Sequence, residues 1–175
     1  IDTQAATVWN DVKTMLQDAD VSHVDYLILS HYHTDHVDNV GNLITNGFVD
    51  KDTIVFVPAT DLTILNGNLL KSSVINSLNN ADIPYHVPEE GEVLTIGSDF
   101  SITFFNCDED TLEDSGWTDY NDYSTICLIK HGNVSALYTG DAQRLPLTRA
   151  LNNNYIENAV DLYKIEHHGM EIDPP

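Results

Sequence analysis

The sequence predicts a layered α/β domain rather than a purely parallel sheet. Three observations carry this: apolar residues switch repeatedly between helical and strand spacing, at least one β-hairpin lies among the helices, and polar clusters stand directly behind strand candidates. With 175 residues, 42% of them hydrophobic and 20% charged, the chain is long enough for one domain with a sizeable core.

Val8, Trp9, Val12, Met15 and Leu16 recur at helical spacing, so an amphipathic helix comes first. "VDYLILS" (24–30) is an apolar run of strand length and reads as a buried strand. Asp38 or Asn39 stands where it can cap a short helix carrying Val40, Leu43 and Ile44. "TIVFVP" (53–58) is a second strand, stopped by Pro58, which cannot donate to a ladder. Leu69, Leu70, Val74, Ile75 and Leu78 mark another amphipathic helix. "PYHV", "EVLTI" and "SITFF" then follow as strands. A polar, acidic loop over 106–122 is long enough to carry function. "STICLIK" and "VSALYT" flank His131, Gly132 and Asn133, which predicts a hairpin turn. A helix over 144–152 and a strand "VDLYKIE" (160–166) complete the set, with no internal repeat, linker or low-complexity segment.

The charge balance excludes one class of activity. Twenty-eight acidic residues against 7 basic ones give a formal net charge of -21, so a bare phosphate backbone is repelled at long range and unaided nucleic-acid binding is disfavoured. The acidity otherwise reads as a solubilising surface. No run approaches the ~18 apolar residues of a membrane span. Cys107 and Cys127 lie far apart without CxxC spacing, which argues against a cysteine zinc ribbon and a dense disulfide framework. The first residues carry neither an initiator Met nor a signal-peptide pattern, and "EIDPP" follows a histidine pair almost at once. Both ends therefore read as cut or cleavage boundaries, and the compartment stays open, an extracellular one included.

"HYHTDH" (31–36) stands immediately behind the first strand. In extended chain, residues two apart share a side, so His31 and His33 can offer imidazoles to one ion, while Asp35 and His36 on the ensuing turn can reach a second. Asp141 follows the strand "ALYTG", and His167 with His168 follow "YKI", so three strand ends deliver metal-capable side chains. A carboxylate such as Asp141 can bridge two cations about 3.5–4 Å apart that share a hydroxide. One histidine alone would be read as satisfied in a polar turn; this density behind a buried strand reverses that reading.

These residues resemble a known family. "HYHTDH" resembles the HxHxDH motif of the metallo-β-lactamase superfamily, "YTGD" its later aspartate motif, "IEHHG" its last histidine motif and "IDT" its early "IDTG" strand end, in matching order. The resemblance runs over nearly the whole chain. Within the superfamily, "NDYS" (121–124) with "YTGD" and "HHG" looks like the hydrolase domain of the competence protein ComEC, and cell-wall phosphorylcholine esterases are also similar. The resemblance implies an αββα sandwich with metals at one edge, here a single domain over 1–175 that lacks the first strands and the C-terminal end. Carried over, His31 and His33 are ligands of the first metal, Asp35 and His36 of the second, and Asp141 the bridge. One of His167 and His168 completes the second site, with His168, next to the glycine, preferred. Two zinc ions are implied, with manganese the alternative. Asp2 takes the place of a residue orienting a ligand histidine, or of an ordinary strand-end turn.

Two departures stand out. Many members carry a further histidine for the first metal before the "TGD" strands, where this chain has Tyr120, Asn121 and Asp122. An oxygen from Asn121 or Asp122 would favour harder ions such as manganese. Asp38 replaces the usual glycine after "DHx". His86 lies near an early strand, His131 in the hairpin turn and His23 a strand length before the motif, so none is expected in the site. Trp117, Tyr120 and Tyr123 offer an aromatic wall, or a cage for a quaternary ammonium, against the plainer reading of loop packing.

The expected function is a metal-dependent hydrolase in which a metal-bound hydroxide attacks an ester. Phosphoesters and phosphodiesters lead as substrates, with Asp35 or Asp141 managing the proton and a small-molecule or cell-wall-type ester as partner. Lactam or thioester hydrolysis on the same scaffold, and a metal-binding module with a decayed, inactive first site, are the alternatives.

Overall fold

The computed structural model describes residues 1–59, 70–107, 117, 119–156 and 159–169. The chain divides into two compact units, one of Ile1–Val57 with Asn66–Val87 and the other of Pro58–Leu65 with Pro88–Pro175.

The first unit is built on a parallel sheet of β1 (Tyr26–Ile28), β2 (Ile54–Phe56) and β3 (Tyr85–His86), in the order β1-β2-β3. Parallel neighbours need crossovers, and helices supply them. A 3₁₀ turn at Ala6–Val8 runs into α1 (Trp9–Asp18), and α2 (Thr34–Val37) with α3 (Val40–Thr45) connects β1 to β2. α4 (Lys71–Asn80) precedes β3 and buries Val74 and Leu78, four apart on one face. Pairing runs Ile28↔Phe56↔His86, so all three strands end at one edge. Beyond β1 the ladder continues briefly, Leu29 N–H donating to Phe56 O at 2.9 Å. The "HYHTDH" segment leaves from that edge, where ligands of open α/β sheets gather. His23 is at the other end of β1, 3.2 Å from Asp50, as its spacing predicted.

The second unit is a five-stranded sheet ordered β4 (Val93–Ile96), β5 (Phe100–Phe105), β6 (Ile126–His131), β7 (Val134–Tyr138) and β8 (Leu162–Tyr163). The first four strands form an antiparallel meander; β8 joins β7 in parallel after α5 (Arg144–Asn152). The predicted hairpin is present: His131 pairs with Val134, and Gly132 takes the positive φ of 57° that the two-residue turn requires. Exposed His131 lies 3.6 Å from Asp99. Phe105, Ile126, Leu128, Leu137 and Ala142 form a core against which Leu147 of α5 packs.

Strands are shorter than their apolar runs. The run 24–30 yields three ladder residues because burial extends past the hydrogen-bonded pairs, as at Leu29 with 1% exposure, whereas 160–166 yields two and leaves Leu162 and Ile165 exposed. Leu69 and most of the acidic loop, 108–116 and 118, lie outside the described residues, as does the "EIDPP" end. No helix among the described residues is long and apolar enough to cross a membrane.

Candidate metal centre

In the first unit, four histidine and aspartate side chains gather behind β1 around one carboxylate from the start of the chain. The backbone of Asp2 is pinned by its N–H donating to Ile28 O at 2.8 Å. Its Oδ1 accepts Ser30 N–H at 2.7 Å, and its Oδ2 accepts the Ser30 hydroxyl and faces His36 Nδ1, both at 2.9 Å. A carboxylate only accepts, so His36 carries its proton on Nδ1 and would coordinate through Nε2. The Ser30 hydroxyl spends its one proton on Asp2, so at 3.0 Å it must accept from His31 Nδ1–H. Asp2 thus fixes two tautomers, one directly and one through Ser30. This is the contact expected of a residue orienting a ligand histidine.

The donors fit a metal. His31 Nε2 lies 3.0 Å from His33 Nδ1, close to the ~3.3 Å separating two nitrogens at tetrahedral positions about 2.0–2.1 Å from one zinc. His31 is fully buried and its ring centroid stands 4.6 Å from that of His33. Asp35 and His36 sit on α2, with Asp35 Oδ2 3.7 Å from His36 Nε2. The period of two therefore brings His31 and His33 together, and the turn that follows brings Asp35 to His36.

A strap holds this arrangement. Asn39, fully buried, donates through Nδ2 to Thr3 O and Ala5 O at 2.8 Å each and to Gln4 O at 3.2 Å, while Thr3 Oγ1 donates to His36 O at 3.1 Å. Asn39 precedes α3 but makes no side-chain cap there. Asp38 accepts Ala6 N–H at 3.1 Å, and so caps the 3₁₀ turn leading into α1 rather than α3.

In the second unit, parallel β7 and β8 put Asp141 and the histidine pair at one sheet edge. Asp141, 2% exposed, has Oδ2 3.3 Å from His168 Nε2 and Oδ1 3.5 Å from Lys164 Nζ. Lys164 also donates to Gly140 O at 2.5 Å, and Asp141 N–H to Ser124 Oγ at 3.1 Å. A buried carboxylate needs such a cationic partner. His167 and His168 adopt left-handed backbone, φ 40° and 56°, a conformation costing roughly 1–3 kcal/mol for such residues and often found at functional sites. His167 is half-buried, and its Nδ1 has no hydrogen-bond partner among the described residues.

The "YND" departure lies on a 3₁₀ turn, Tyr120–Tyr123, all four residues buried. Asp119 caps it by accepting Asn121 N–H at 2.9 Å, and Asp122 Oδ1 accepts Gln143 N–H at 3.2 Å. Asn121 Oδ1 is buried and has no hydrogen-bond partner among the described residues. Tyr123 packs edge-on against Trp117, with centroids 5.7 Å apart, and its hydroxyl donates to Trp117 O. Burial of Tyr120 and Tyr123 makes this loop packing rather than an open aromatic cage.

Ser30 and Lys164 were not singled out by sequence, and Asn39 only as a candidate helix cap. Lys164, a lone cation in an apolar strand run, carried a weak signal; Ser30 carried none.

No protein-family model and no curated protein matches the chain. Among solved structures it is similar to a mutant of the CmlA β-hydroxylase, at 17% identity and a TM-score of 0.54, over 81% of this chain and 26% of that one. It is also similar to CmlA, a diiron β-hydroxylase from Streptomyces venezuelae, at 16% identity and a TM-score of 0.50, over 81% and 25%. A flavodiiron protein from Giardia intestinalis matches at 11% identity and a TM-score of 0.48, over 80% and 29%. The CmlA likeness shows the fold: mixed α/β, of the metallo-β-lactamase type that the motifs resemble. The chain spans about a quarter of the length of the CmlA structures.

Proposed function

We propose that residues 1–175 act as one domain of a dinuclear metal-dependent hydrolase whose substrates are phosphoesters or phosphodiesters. Its place is in the branch that resembles the ComEC hydrolase domain and the phosphorylcholine esterases. The observation that carries this is the His31–His33 nitrogen pair at 3.0 Å, with the tautomer of His31 set through Ser30 by Asp2. Histidines satisfied in a polar turn need no such control over which nitrogen is left to coordinate.

We assign His31 and His33 to one ion and Asp35, His36 and His168 to the other, with Asp141 shared. The two donor sets belong to different units, and their joining rests on the motif order that the chain shares with the family. Two bound divalent ions, zinc or manganese, would lower the pKa of water toward about 7 and neutralise charge on the substrate oxygens. Asp2 holds His36, and Ser30 holds His31, in the coordinating tautomer. Lys164 keeps Asp141 Oδ1 facing a cation, which suits a permanently ionised ligand. Asp35, whose side chain is 50% exposed, is the carboxylate that can pass a proton to solvent. The net charge of -21 makes a small or cell-wall-type ester a better partner than DNA for this domain alone.

The test is a substrate panel on the chain loaded with zinc, manganese or iron. Bis-p-nitrophenyl phosphate should be hydrolysed in preference to nitrocefin and a thioester, and His36→Ala and Asp141→Asn should abolish turnover and lower metal content. Preference for nitrocefin or the thioester would move the substrate class. One tightly held ion without turnover would point to a decayed site. No hydrolysis at all, with metal content unchanged in His36→Ala, would end the reading.

A further inference from the structure

At the end of the second sheet away from Asp141, one face is only partly covered. Strand alternation puts Thr103 and Phe105 of β5 on the same face as Leu128 and Lys130 of β6, in the register Thr103↔Leu128 and, toward β7, Lys130↔Ser135. α5 ends at Asn152, where left-handed Asn154, φ 55°, closes the helix: Asn154 N–H donates to Leu151 O at 3.1 Å and Tyr155 N–H to Ala150 O at 3.0 Å. The chain thereby doubles back and stacks Tyr155 on Phe105, with centroids 4.9 Å apart and planes 9° from parallel. Tyr155, Ile156 and Val160 pack against the cluster that includes Leu128, whereas Lys130, one row further out, is exposed. The gap between roof and sheet is a cavity of about 380 Å³, a size that small-molecule sites share.

The cavity has two kinds of wall. Phe105, Leu128, Tyr155, Ile156 and Val160 make an apolar half, and Thr103, Lys130, Asn133 and Asn154 a polar one. Among the described residues, neither those four polar side chains nor the Tyr155 hydroxyl has a hydrogen-bond or ion-pair partner. Cations elsewhere in the chain behave differently, since Lys13, Lys51, Arg149 and Lys164 each meet an amide or carboxylate oxygen. Ser135 is already taken by Asp161, whose Oδ2 accepts its N–H and hydroxyl at 2.8 and 3.0 Å. No described lining residue is acidic, in a chain with 28 acidic residues against 7 basic ones. An ammonium group without a counter-charge beside an apolar wall is complementary to an amphipathic anion.

We propose that this cavity binds a small amphipathic anion, a soluble molecule whose apolar body lies against Leu128, Tyr155 and Val160 and whose single carboxylate, sulfonate or phosphate head meets Lys130 Nζ, with Thr103 and Asn154 as neutral donors. The site stands apart from the candidate metal ligands of the same unit. It lies at the Val134 end of β7, while Asp141 follows the Tyr138 end, about 13 Å along the strand. It therefore does not depend on the hydrolase reading.

The test titrates the whole chain, by fluorescence, with anilinonaphthalene sulfonate and with N-phenylnaphthylamine, which has the same rings and no charge. Circular dichroism reports folding, and elemental analysis reports metal content. The sulfonate should occupy one site on the folded chain. Lys130→Gln should weaken it about tenfold and leave the neutral probe within about twofold, because only the charge-assisted contact is lost. Thr103→Phe, which fills the cavity, should weaken both probes about tenfold or more. Metal content should match the wild type in both variants. Should Thr103→Phe fail to fold, Lys130→Glu takes its place and should abolish sulfonate binding while sparing the neutral probe. No sulfonate binding to the folded wild type, or binding unchanged in Thr103→Phe, overturns the proposal. Loss in Thr103→Phe with no change in Lys130→Gln or Lys130→Glu leaves an apolar pocket indifferent to charge, and overturns the assigned ligand class.

Discussion

Replacing Asp2 by Asn tests how the histidines are prepared. The substitution keeps shape and removes one charge. At the Oδ1 position an amide oxygen can still accept Ser30 N–H, now at 2.7 Å. At the Oδ2 position an NH₂ group would face the Ser30 hydroxyl and His36 Nδ1, both at 2.9 Å and both donors in the wild type. Donor would meet donor. The relief is for His36 to move its proton to Nε2 and for Ser30 to donate to His31 Nδ1, which moves the proton of His31 to Nε2 as well. Both coordinating nitrogens would then carry hydrogens that a metal must displace. The expected loss is about 10- to 100-fold in metal affinity, or about 1.4–2.7 kcal/mol. Exchanging charge-assisted for neutral hydrogen bonds should cost about 1–2 kcal/mol of metal-free stability besides. Chelator competition measures the first quantity and urea unfolding the second, and long-range ¹H–¹⁵N NMR of the imidazoles reads the tautomers directly. Wild-type affinity in Asp2→Asn, with His36 still protonated on Nδ1, would refute the reasoning.

Asn39→Ala should cost about 1–3 kcal/mol in urea unfolding, because it leaves the buried Thr3 carbonyl without its 2.8 Å donor, while the half-buried Ala5 carbonyl loses one donor and keeps Val8 N–H. It should also weaken metal binding, since the strap carries Asp2. Burial, helped by the Glu90 carboxylate, pushes the Cys107 thiol well up from its ordinary range. A raised thiol stabilises the fold fully below the unfolded thiol's pKa of about 8.5 and loses that contribution as pH rises above it. Urea midpoints should therefore fall between pH 7.5 and 9.5, less so in Cys107→Ala, and a thiol reagent should label Cys107 only on unfolding. Rapid labelling of the native chain would contradict this.

How much was legible in sequence follows from the range over which each feature is decided. His31 meeting His33 was legible because side-chain alternation in extended chain is a local property of the backbone. The hairpin at Gly132 and the helix over Arg144–Asn152 were legible for the same reason. Strand lengths were not, since an apolar run reports burial while a ladder needs a neighbour's register. Nor was the choice among Asn39, Asp38 and α3: Asn39 looked like a cap, but its amide serves carbonyls 34 to 36 residues away.

By itself the sequence determined the candidate donor residues, their spacing behind strands, the acidity that argues against unaided nucleic-acid binding, and the point in "YND" where the resemblance breaks. Only the tertiary structure decided what those donors are ready to do. Asp2 reaches Ser30 and His36 across 28 and 34 residues, and the proton positions on two histidines follow from that contact. It also separated Asn121 from Asp122, adjacent residues that sequence left equivalent, because Gln143, 21 residues beyond Asp122, claims an oxygen of one and not the other. Spacing names which atoms can coordinate; which of them are left to do so depends on hydrogen-bond partners that only folding brings within 3 Å or so.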